Sequence, residues 1–237
     1  MRRYKPLNLL NDKGFWPEKI ALVDAIKEVL TIGKCTRPLP VHDYGRYRDK
    51  EWRNEEDGLV PYRSVDWYVS NSMDESRMQV DSLHLLNAFA EEPWRKDELL
   101  GDHYDLFIIQ EDMFGGAEPP EPGRGDYVVG KAQPLTAAVI STHRIEHIWG
   151  MPYSYLKTEV MRQLCFMFGV PEAEREDVIE LDGEQYCQNM CILRPARSAP
   201  EDWQRLTRDR LEQGALCQAC TTDLRAFFRR VAAEADD

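Results

Sequence analysis

The sequence has no apolar run that approaches the roughly twenty residues of a membrane-spanning helix. No apolar segment follows Met1–Pro6 either, so a secretory signal peptide is not expected. Basic side chains are outnumbered, because 30 Lys and Arg against 42 Asp and Glu give a formal net charge of −12. This balance disfavours nonspecific binding to nucleic acid or anionic membranes. The sequence therefore predicts neither kind of partner.

The sequence shows no sign of secretion, so we interpret its 6 cysteines as reduced thiols. Thiols stay reduced in the cytoplasm, so metal-bound cysteines are a better explanation than a disulfide scaffold, and a cytoplasmic location is expected. A hydrophobic content of 43% and a charged content of 30% are ordinary for a soluble globular protein. At 237 residues, the chain is long enough to bury a substantial core.

Two cysteine pairs carry the strongest chemical signal in the chain. Cys187 and Cys191 have the spacing CxxxC, and Cys217 and Cys220 have the spacing CxxC. Each pair supplies two sulfur ligands from one short stretch of backbone, and the chain between the pairs can fold back to close a tetrahedron. Four soft ligands leave no open coordination position, so the pattern predicts one structural zinc per chain. Two disulfides or four unrelated thiols remain the alternative.

Hydrophobic periodicity and turn residues predict the following elements. The helices are expected at 17–33, 74–90 and 155–168, with a last helix capped by Thr221 or Thr222. Short apolar runs predict strands at 106–109, 127–129 and 138–140. The stretches 35–71 and 115–125 lack a clear period and are expected to be irregular. Strands interleaved with helices indicate an α/β or α+β domain around a mixed sheet.

Five segments occur in an order that resembles the archaemetzincins, a family of zinc metallopeptidase-like proteins within the metzincins. These segments are 127–132, 138–144, 158–169, 186–193 and 217–220. The resemblance implies a single α+β, metzincin-like domain over 1–237, with a mixed twisted sheet and a central helix. It also implies an N-terminal subdomain, 1–170, and a C-terminal subdomain, 171–237, which the four-cysteine zinc site ties together.

The departures from the family pattern decide what the resemblance implies for function. In the family, a helix carries two zinc-binding histidines at i and i+4, with a glutamate as the general base between them. Here these three positions are Arg162, Phe166 and Gln163, respectively. The third histidine of the pattern corresponds to Tyr186, and the methionine of the turn below the metal corresponds to Leu193.

The substituted side chains cannot perform metal-dependent hydrolysis. Arg stays protonated and repels a divalent cation, and Phe has no lone pair to donate. Gln does not accept a proton at neutral pH, so it is no general base. Without the metal, neither a reactive bound water nor a Lewis acid is available. The resemblance therefore implies a pseudopeptidase that kept its structural zinc and has no catalytic residues.

Three other features leave an enzymatic alternative open. His143, Glu146 and His147 match the inverted zincin motif HxxEH, which requires a helix and a distant third ligand, for which Glu159 is a candidate. Cys165 would be a nucleophile only with one of these histidines as its base. More simply, the histidines are surface or hydrogen-bonding groups, and Cys165 is a buried small hydrophobe. The simplest explanation of the altered helix is an ion pair of Arg162 with Glu159.

Two functions from different classes follow from these observations. In the first, the protein binds a peptide or protein partner in the former substrate cleft. The edge strand that precedes the helix would then pair with an extended peptide by strand addition. In the second, the protein is a hydrolase that uses the relocated residues His143, His147 and Cys165. The substitutions favour the first. The other histidines, His42, His84 and His103, are expected to be structural or exposed.

Overall fold

The computed structural model describes residues 5–11, 16–35, 39–46, 64–92, 103–115, 127–147, 152–181, 183–196 and 200–234. The chain divides into two compact units. We call residues 5–15 and 39–148 the sheet unit. We call residues 1–4, 16–38 and 149–237 the helical unit. Within the described residues, none of the helices combines the length and the apolar composition that crossing a bilayer requires.

The elements are numbered in chain order. The strands are β1 (Leu7–Asn11), β2 (Val41–Gly45), β3 (Met73–Asp74), β4 (Gln79–Asp81), β5 (Tyr104–Ile109), β6 (Met113–Phe114), β7 (Gly130–Gln133), β8 (Ala137–Ser141), β9 (Val178–Leu181) and β10 (Glu184–Cys187). The helices are α1 (Trp16–Ile32), α2 (Val65–Asn71), α3 (Ser82–Ala90), α4 (His143–His147), α5 (Pro152–Met167), α6 (Glu201–Gln213) and α7 (Gln218–Glu234).

A mixed five-stranded sheet forms the centre of the sheet unit, in the order β2-β1-β5-β8-β7. The first four strands are parallel, and β7 runs antiparallel to β8 at one edge. Every residue of β5 is buried, as expected for a central strand covered on both faces. On one face, Phe107 packs against Tyr68 of α2 and Phe89 of α3, with ring centroids 5.5 and 5.0 Å from its own.

The helical unit is built around α5, which packs against α1 and α6. The end of α5 leads into Phe168, whose ring stacks on Phe227 of α7 at 4.8 Å. Gly33 lies against Phe228, since an added Cβ at position 33 would come within 2.4 Å of that ring. A glycine therefore allows the chain after α1 to approach α7 closely.

Several predicted elements are confirmed. The helices expected at 17–33 and 155–168 are α1 and α5. The strands expected at 106–109 and 138–140 are β5 and β8, each extended by one or two residues. The mixture of sheet and helices is also the predicted α+β arrangement. The expected irregular stretch 115–125 lies almost entirely outside the described residues.

Other expectations are wrong in instructive ways. The helix expected at 74–90 is two short strands and the shorter helix α3, because Met78 has a φ of 53° and Asp81 caps the helix by accepting from Leu83 N and His84 N. The stretch 35–71 contains β2 and α2. The strand expected at 127–129 lies three residues later, as β7. The last helix begins at Gln218, inside the second cysteine pair, rather than at a threonine cap.

Candidate functional site

The four predicted metal ligands lie together in the helical unit. Cys187 ends β10, Cys191 follows in the next turn, Cys217 precedes α7, and Cys220 lies in its first turn. The Sγ atoms of Cys187 and Cys217 are 3.7 Å apart, and those of Cys191 and Cys220 are 3.9 Å apart. All four sulfur atoms lie within 4.8 Å of one another. The fold thus brings both pairs to a single point.

These distances suit a tetrahedral metal and exclude disulfides. A zinc ion with bonds of about 2.3 Å to four sulfurs holds the sulfurs about 3.8 Å apart. A disulfide would require a sulfur–sulfur distance of about 2.0 Å, and all six cysteines are free. Cys187, Cys191 and Cys220 are also buried, so a metal held here has no room for a substrate. The arrangement is that of a structural centre.

Backbone amides point at the sulfur atoms and favour their thiolate form. Asn189 N donates to Cys187 Sγ at 3.4 Å, Leu193 N to Cys191 Sγ at 3.3 Å, and Cys220 N to Cys217 Sγ at 3.5 Å. The guanidinium of Arg175 donates to Cys220 Sγ at 3.4 Å and to Cys187 Sγ at 3.7 Å. Such bonds stabilise the negative charge that four metal-bound thiolates carry together.

Hydrogen bonds among the four sulfurs shift the pKa values of the thiols in opposite directions. A hydrogen bond from Cys191 is the main cause that lowers the pKa of Cys217 to about 6, and it also lowers the pKa of Cys187. A hydrogen bond to Asp177 chiefly raises the pKa of Arg175, which keeps this guanidinium charged beside the sulfurs. The hydrogen bond with Cys187 chiefly raises the pKa values of Cys191 and Cys220. Because thiolates are the metal ligands, a cation bound here would displace the protons of those two thiols.

The three positions that would carry histidines in the family also converge. The guanidinium carbon of Arg162 lies 4.9 Å from the ring centroid of Phe166 and 5.4 Å from that of Tyr186. The two rings meet edge to face at 5.6 Å. Residues on α5 and on β10 thus face one small volume, as three ligands of one metal would. In this chain, an arginine and two aromatic rings fill that volume.

The arginine is buried and held by backbone carbonyl groups. Arg162 is 3% exposed, and its Nη1 donates to Ile192 O at 2.7 Å and to Arg194 O at 2.5 Å. The rings of Phe166 and Tyr186 add cation–π attraction to the same guanidinium. These contacts hold a positive charge inside the volume that the three side chains share.

The ion pair expected between Arg162 and Glu159 is present, at a long distance. The nearest atoms, Arg162 Nε and Glu159 Oε2, are 4.0 Å apart. The Glu159 carboxylate also accepts from Gln163 Nε2 at 2.7 Å and from Trp203 Nε1 at 2.9 Å. The distance is long because the Arg162 guanidinium also donates to the carbonyl groups of the 192–194 turn.

Comparisons with known proteins found a likeness in fold. No family model matches the sequence, and no curated protein matches it either. A crystal structure of archaemetzincin from Methanopyrus kandleri is similar to the whole chain, with a TM-score of 0.56 and 19% identity. The likeness covers 96% of this chain and 97% of that one. The chain has an archaemetzincin fold. At this level of identity, the likeness establishes the fold alone.

Cys165 lies on α5, one residue before Phe166. Its side chain is fully buried, and burial raises the pKa of its thiol to about 12. At neutral pH, this group is therefore a neutral thiol and not a nucleophile. The interpretation of Cys165 as a small core residue fits the structure, whereas a thiol hydrolase requires a thiolate here.

We expect Cys165 to resist alkylation in the native protein. Because the thiol is protonated and enclosed, iodoacetamide at pH 8 should leave Cys165 unmodified while the more exposed Cys35 reacts. Peptide mass spectrometry measures both sites in one sample, with guanidinium-unfolded protein as the fully reactive control. Modification of Cys165 as fast as that of Cys35 would contradict the assignment.

The inverted zincin motif lies in the sheet unit, on the five-residue helix α4. The side chains of Glu146 and His147 lie outside the described part of the chain. His143 lines an open cleft of about 750 Å³ at the carboxyl ends of β5 and β8. Beside it, Arg144 binds both oxygens of Asp112, at 2.9 and 2.7 Å. The described residues thus contain one of the two histidines of the motif.

Sequence reasoning missed the groups that support these positions in the archaemetzincin fold. Arg175 contacts two sulfur atoms, and Trp203 binds the Glu159 carboxylate, but neither belongs to a recognisable motif. The sequence indicates a role for Arg175 only through its positive charge, which precedes the first cysteine pair. For Trp203 there was none, because helix α6 was not predicted.

Proposed function

We propose that this protein is a pseudopeptidase with an archaemetzincin fold. It carries one structural zinc on four cysteines, performs no hydrolysis, and binds an extended peptide segment of a protein partner. The observation that carries the proposal is the buried guanidinium of Arg162 among Phe166 and Tyr186. We also place the protein in the cytoplasm, since free thiols require a reducing compartment.

The loss of catalysis follows from the chemistry of the converging positions. A divalent cation beside Arg162 would meet a fixed positive charge in a buried volume, where repulsion is stronger than in water. Displacing the guanidinium would leave the carbonyl groups of Ile192 and Arg194 without their donor. Gln163 occupies the position of the general base and already donates to Glu159. The site has neither a metal ligand set nor a base.

The outer edge of strand β7 offers a peptide backbone groups to pair with. Ser141 N donates to Val129 O at 2.8 Å. In the antiparallel register, the backbone N–H and C=O groups of residues 129, 131 and 133 therefore point toward β8. The N–H and C=O groups of Gly130 and Ala132 therefore point away from β8. In the described part of the chain, no strand pairs with β7 on that side. An antiparallel edge of this kind accepts an added strand.

Strand β6 marks where an added strand would begin along the outer edge of β7. Val128 N donates to Met113 O at 2.9 Å, so β6 already pairs with the chain one residue before Val129. An added peptide strand would continue from this bridge along Gly130 and Ala132. The expectation that the strand before the helix is an edge strand is wrong, because that strand is β8 and it lies inside the sheet. The candidate docking edge is therefore β7.

Substitution of Ala132 tests strand addition. Ala132→Pro removes one outward N–H and leaves the hydrogen bonds to β8, whereas Ala132→Ser keeps the N–H and serves as the control. The probe is a random decapeptide library displayed on phage and selected on the wild-type protein. We expect selected peptides to lose at least tenfold in affinity for the proline variant and to bind the serine variant normally. Equal binding to all three proteins would overturn the proposal.

The hydrolase alternative makes a different prediction about metal. A relocated catalytic site would hold a labile metal that a mild chelator removes and that disappears in His143→Gln or His147→Gln. The pseudopeptidase predicts that neither substitution changes the metal content, because its zinc is enclosed by four cysteines. Metal analysis before and after chelation separates the two functions.

A further inference from the structure

A second cluster of metal-ligating side chains lies in the sheet unit, apart from the residues discussed above. Nε2 of His103 is 3.2 Å from Asp105 Oδ2 and 3.5 Å from Glu92 Oε2. One ligand atom from each of the three side chains lies within 4.8 Å of the others. The relative exposures of Glu92, His103 and Asp105 are 0%, 1% and 0%. These groups are as buried as the hydrophobic core.

Local structure explains why the three side chains meet. His103 immediately precedes β5, and Asp105 is its second residue, so in extended chain both side chains lie on one face of the sheet. Asp105 shares that face with Phe107, which packs against Tyr68 and Phe89. Glu92 follows the end of α3, where the helix passes over the same face.

The supporting contacts resemble those around a metal site. The hydroxyl of Tyr68 donates to Glu92 Oε1, which leaves Oε2 as the oxygen that faces His103. Tyr68 stacks on Phe89 at 4.3 Å, so aromatic rings form one wall beside the carboxylate. Carboxylates that bind metals usually accept a hydrogen bond on the oxygen that does not bind the metal, and apolar side chains often surround them.

The distances match those between neighbouring ligands of one tetrahedral cation. A charge-assisted hydrogen bond between imidazolium and carboxylate has a length of about 2.7–2.9 Å. Zinc with bonds of about 2.0–2.1 Å to nitrogen and oxygen holds neighbouring ligand atoms about 3.3–3.4 Å apart in a tetrahedron. His103 Nε2 lies 3.2 Å from Asp105 Oδ2 and 3.5 Å from Glu92 Oε2, one distance just below and one just above this ligand–ligand separation. One imidazole and two carboxylates are also a ligand set that zinc accepts.

We propose that Glu92, His103 and Asp105 bind one divalent cation of the zinc class. The cation takes Nε2 of the imidazole and one oxygen of each carboxylate, and a water fills the fourth position. It would reduce the repulsion between two carboxylates held close together in a medium of low dielectric. Because the ligands are buried, its role is structural, and it ties the end of α3 to the start of β5.

Cobalt substitution and metal counting test this proposal on the full chain. The metal-free protein, refolded with Co²⁺, should bind two ions per chain. One should show the intense sulfur-to-cobalt charge-transfer band of the four-cysteine site, and the other only the weak bands of nitrogen and oxygen ligands. Asp105→Asn should lower the count from two to one and remove only the weak bands. Cys217→Ser should remove the charge-transfer band and leave the weak bands.

His84→Gln is the matched control, since this exposed histidine lies at the start of α3 and is not part of the cluster. It should retain two ions. If Asp105→Asn does not fold, X-ray absorption at the zinc edge of the wild-type protein decides instead, because a second site adds nitrogen and oxygen neighbours to the sulfur shell. A count of one ion per chain, or a pure sulfur shell, would overturn the proposal.

Discussion

Cys217→Ser is expected to unfold much of the helical unit. Structural zinc contributes on the order of 10 kcal/mol to the folding of small zinc domains, so a variant that binds the metal poorly should lose more than about 4 kcal/mol of unfolding free energy. The loss should be large because the four ligands connect β10 and the following turn to the start of α7. Urea unfolding followed by circular dichroism measures it.

Cys35→Ser provides the control for this experiment. Cys35 of the helical unit forms no disulfide and lies outside the cluster, so its replacement should change the unfolding free energy by less than about 1 kcal/mol. Melting of Cys217→Ser at the wild-type urea concentration would contradict a structural metal centre at these cysteines.

Restoring the three histidines is expected to create a metal site that the wild-type chain lacks. The variant Arg162→His/Phe166→His/Tyr186→His would place two imidazoles one turn apart on α5 and a third on β10. Because the three native side chains already face one volume, we expect one additional zinc with a Kd below about 1 μM, equivalent to about 8 kcal/mol. Isothermal titration with zinc after mild chelation measures this binding.

The double variant Phe166→His/Tyr186→His is the matched control. It supplies two imidazoles but keeps the guanidinium of Arg162, which is bound to Ile192 O and Arg194 O. We expect no additional zinc, since the fixed positive charge occupies the position of the cation. If the triple variant folds and still takes up no further metal, the three positions do not correspond to a former metal site. Binding by the double variant would show that the arginine is no obstacle.

The four-cysteine cluster was predictable because the short spacing within each cysteine pair is typical of metal ligands. Two cysteine pairs of fixed spacing predicted the cluster, and the structure brings Cys187, Cys191, Cys217 and Cys220 together. The order of segments that resembles the archaemetzincins predicted the fold, which the structural likeness supports. Arg162, Phe166 and Tyr186 were expected at one point only through that resemblance, since nothing in their spacing requires it.

The remaining features depend on tertiary contacts that local patterns do not contain. The stretch 35–71 lacks a period because β2 is an edge strand with an exposed start, and α2 has only seven residues. Helix α3 was predicted too long because its apolar positions continue into β4, and only the cap at Asp81 marks its start. His103 was expected to be structural or exposed. Its two carboxylate neighbours come from β5 and from the end of α3, so one of them is remote in sequence.

The most direct test of the account is a diffraction experiment on the full chain at the zinc absorption edge. The account predicts an anomalous peak within bonding distance of the Sγ atoms of all four cysteines. It predicts none beside Arg162, Phe166 and Tyr186, where the guanidinium should still bind the carbonyl oxygens of Ile192 and Arg194. A zinc peak bonded to residues of α5 or to Tyr186, or cysteines without a metal, would contradict it.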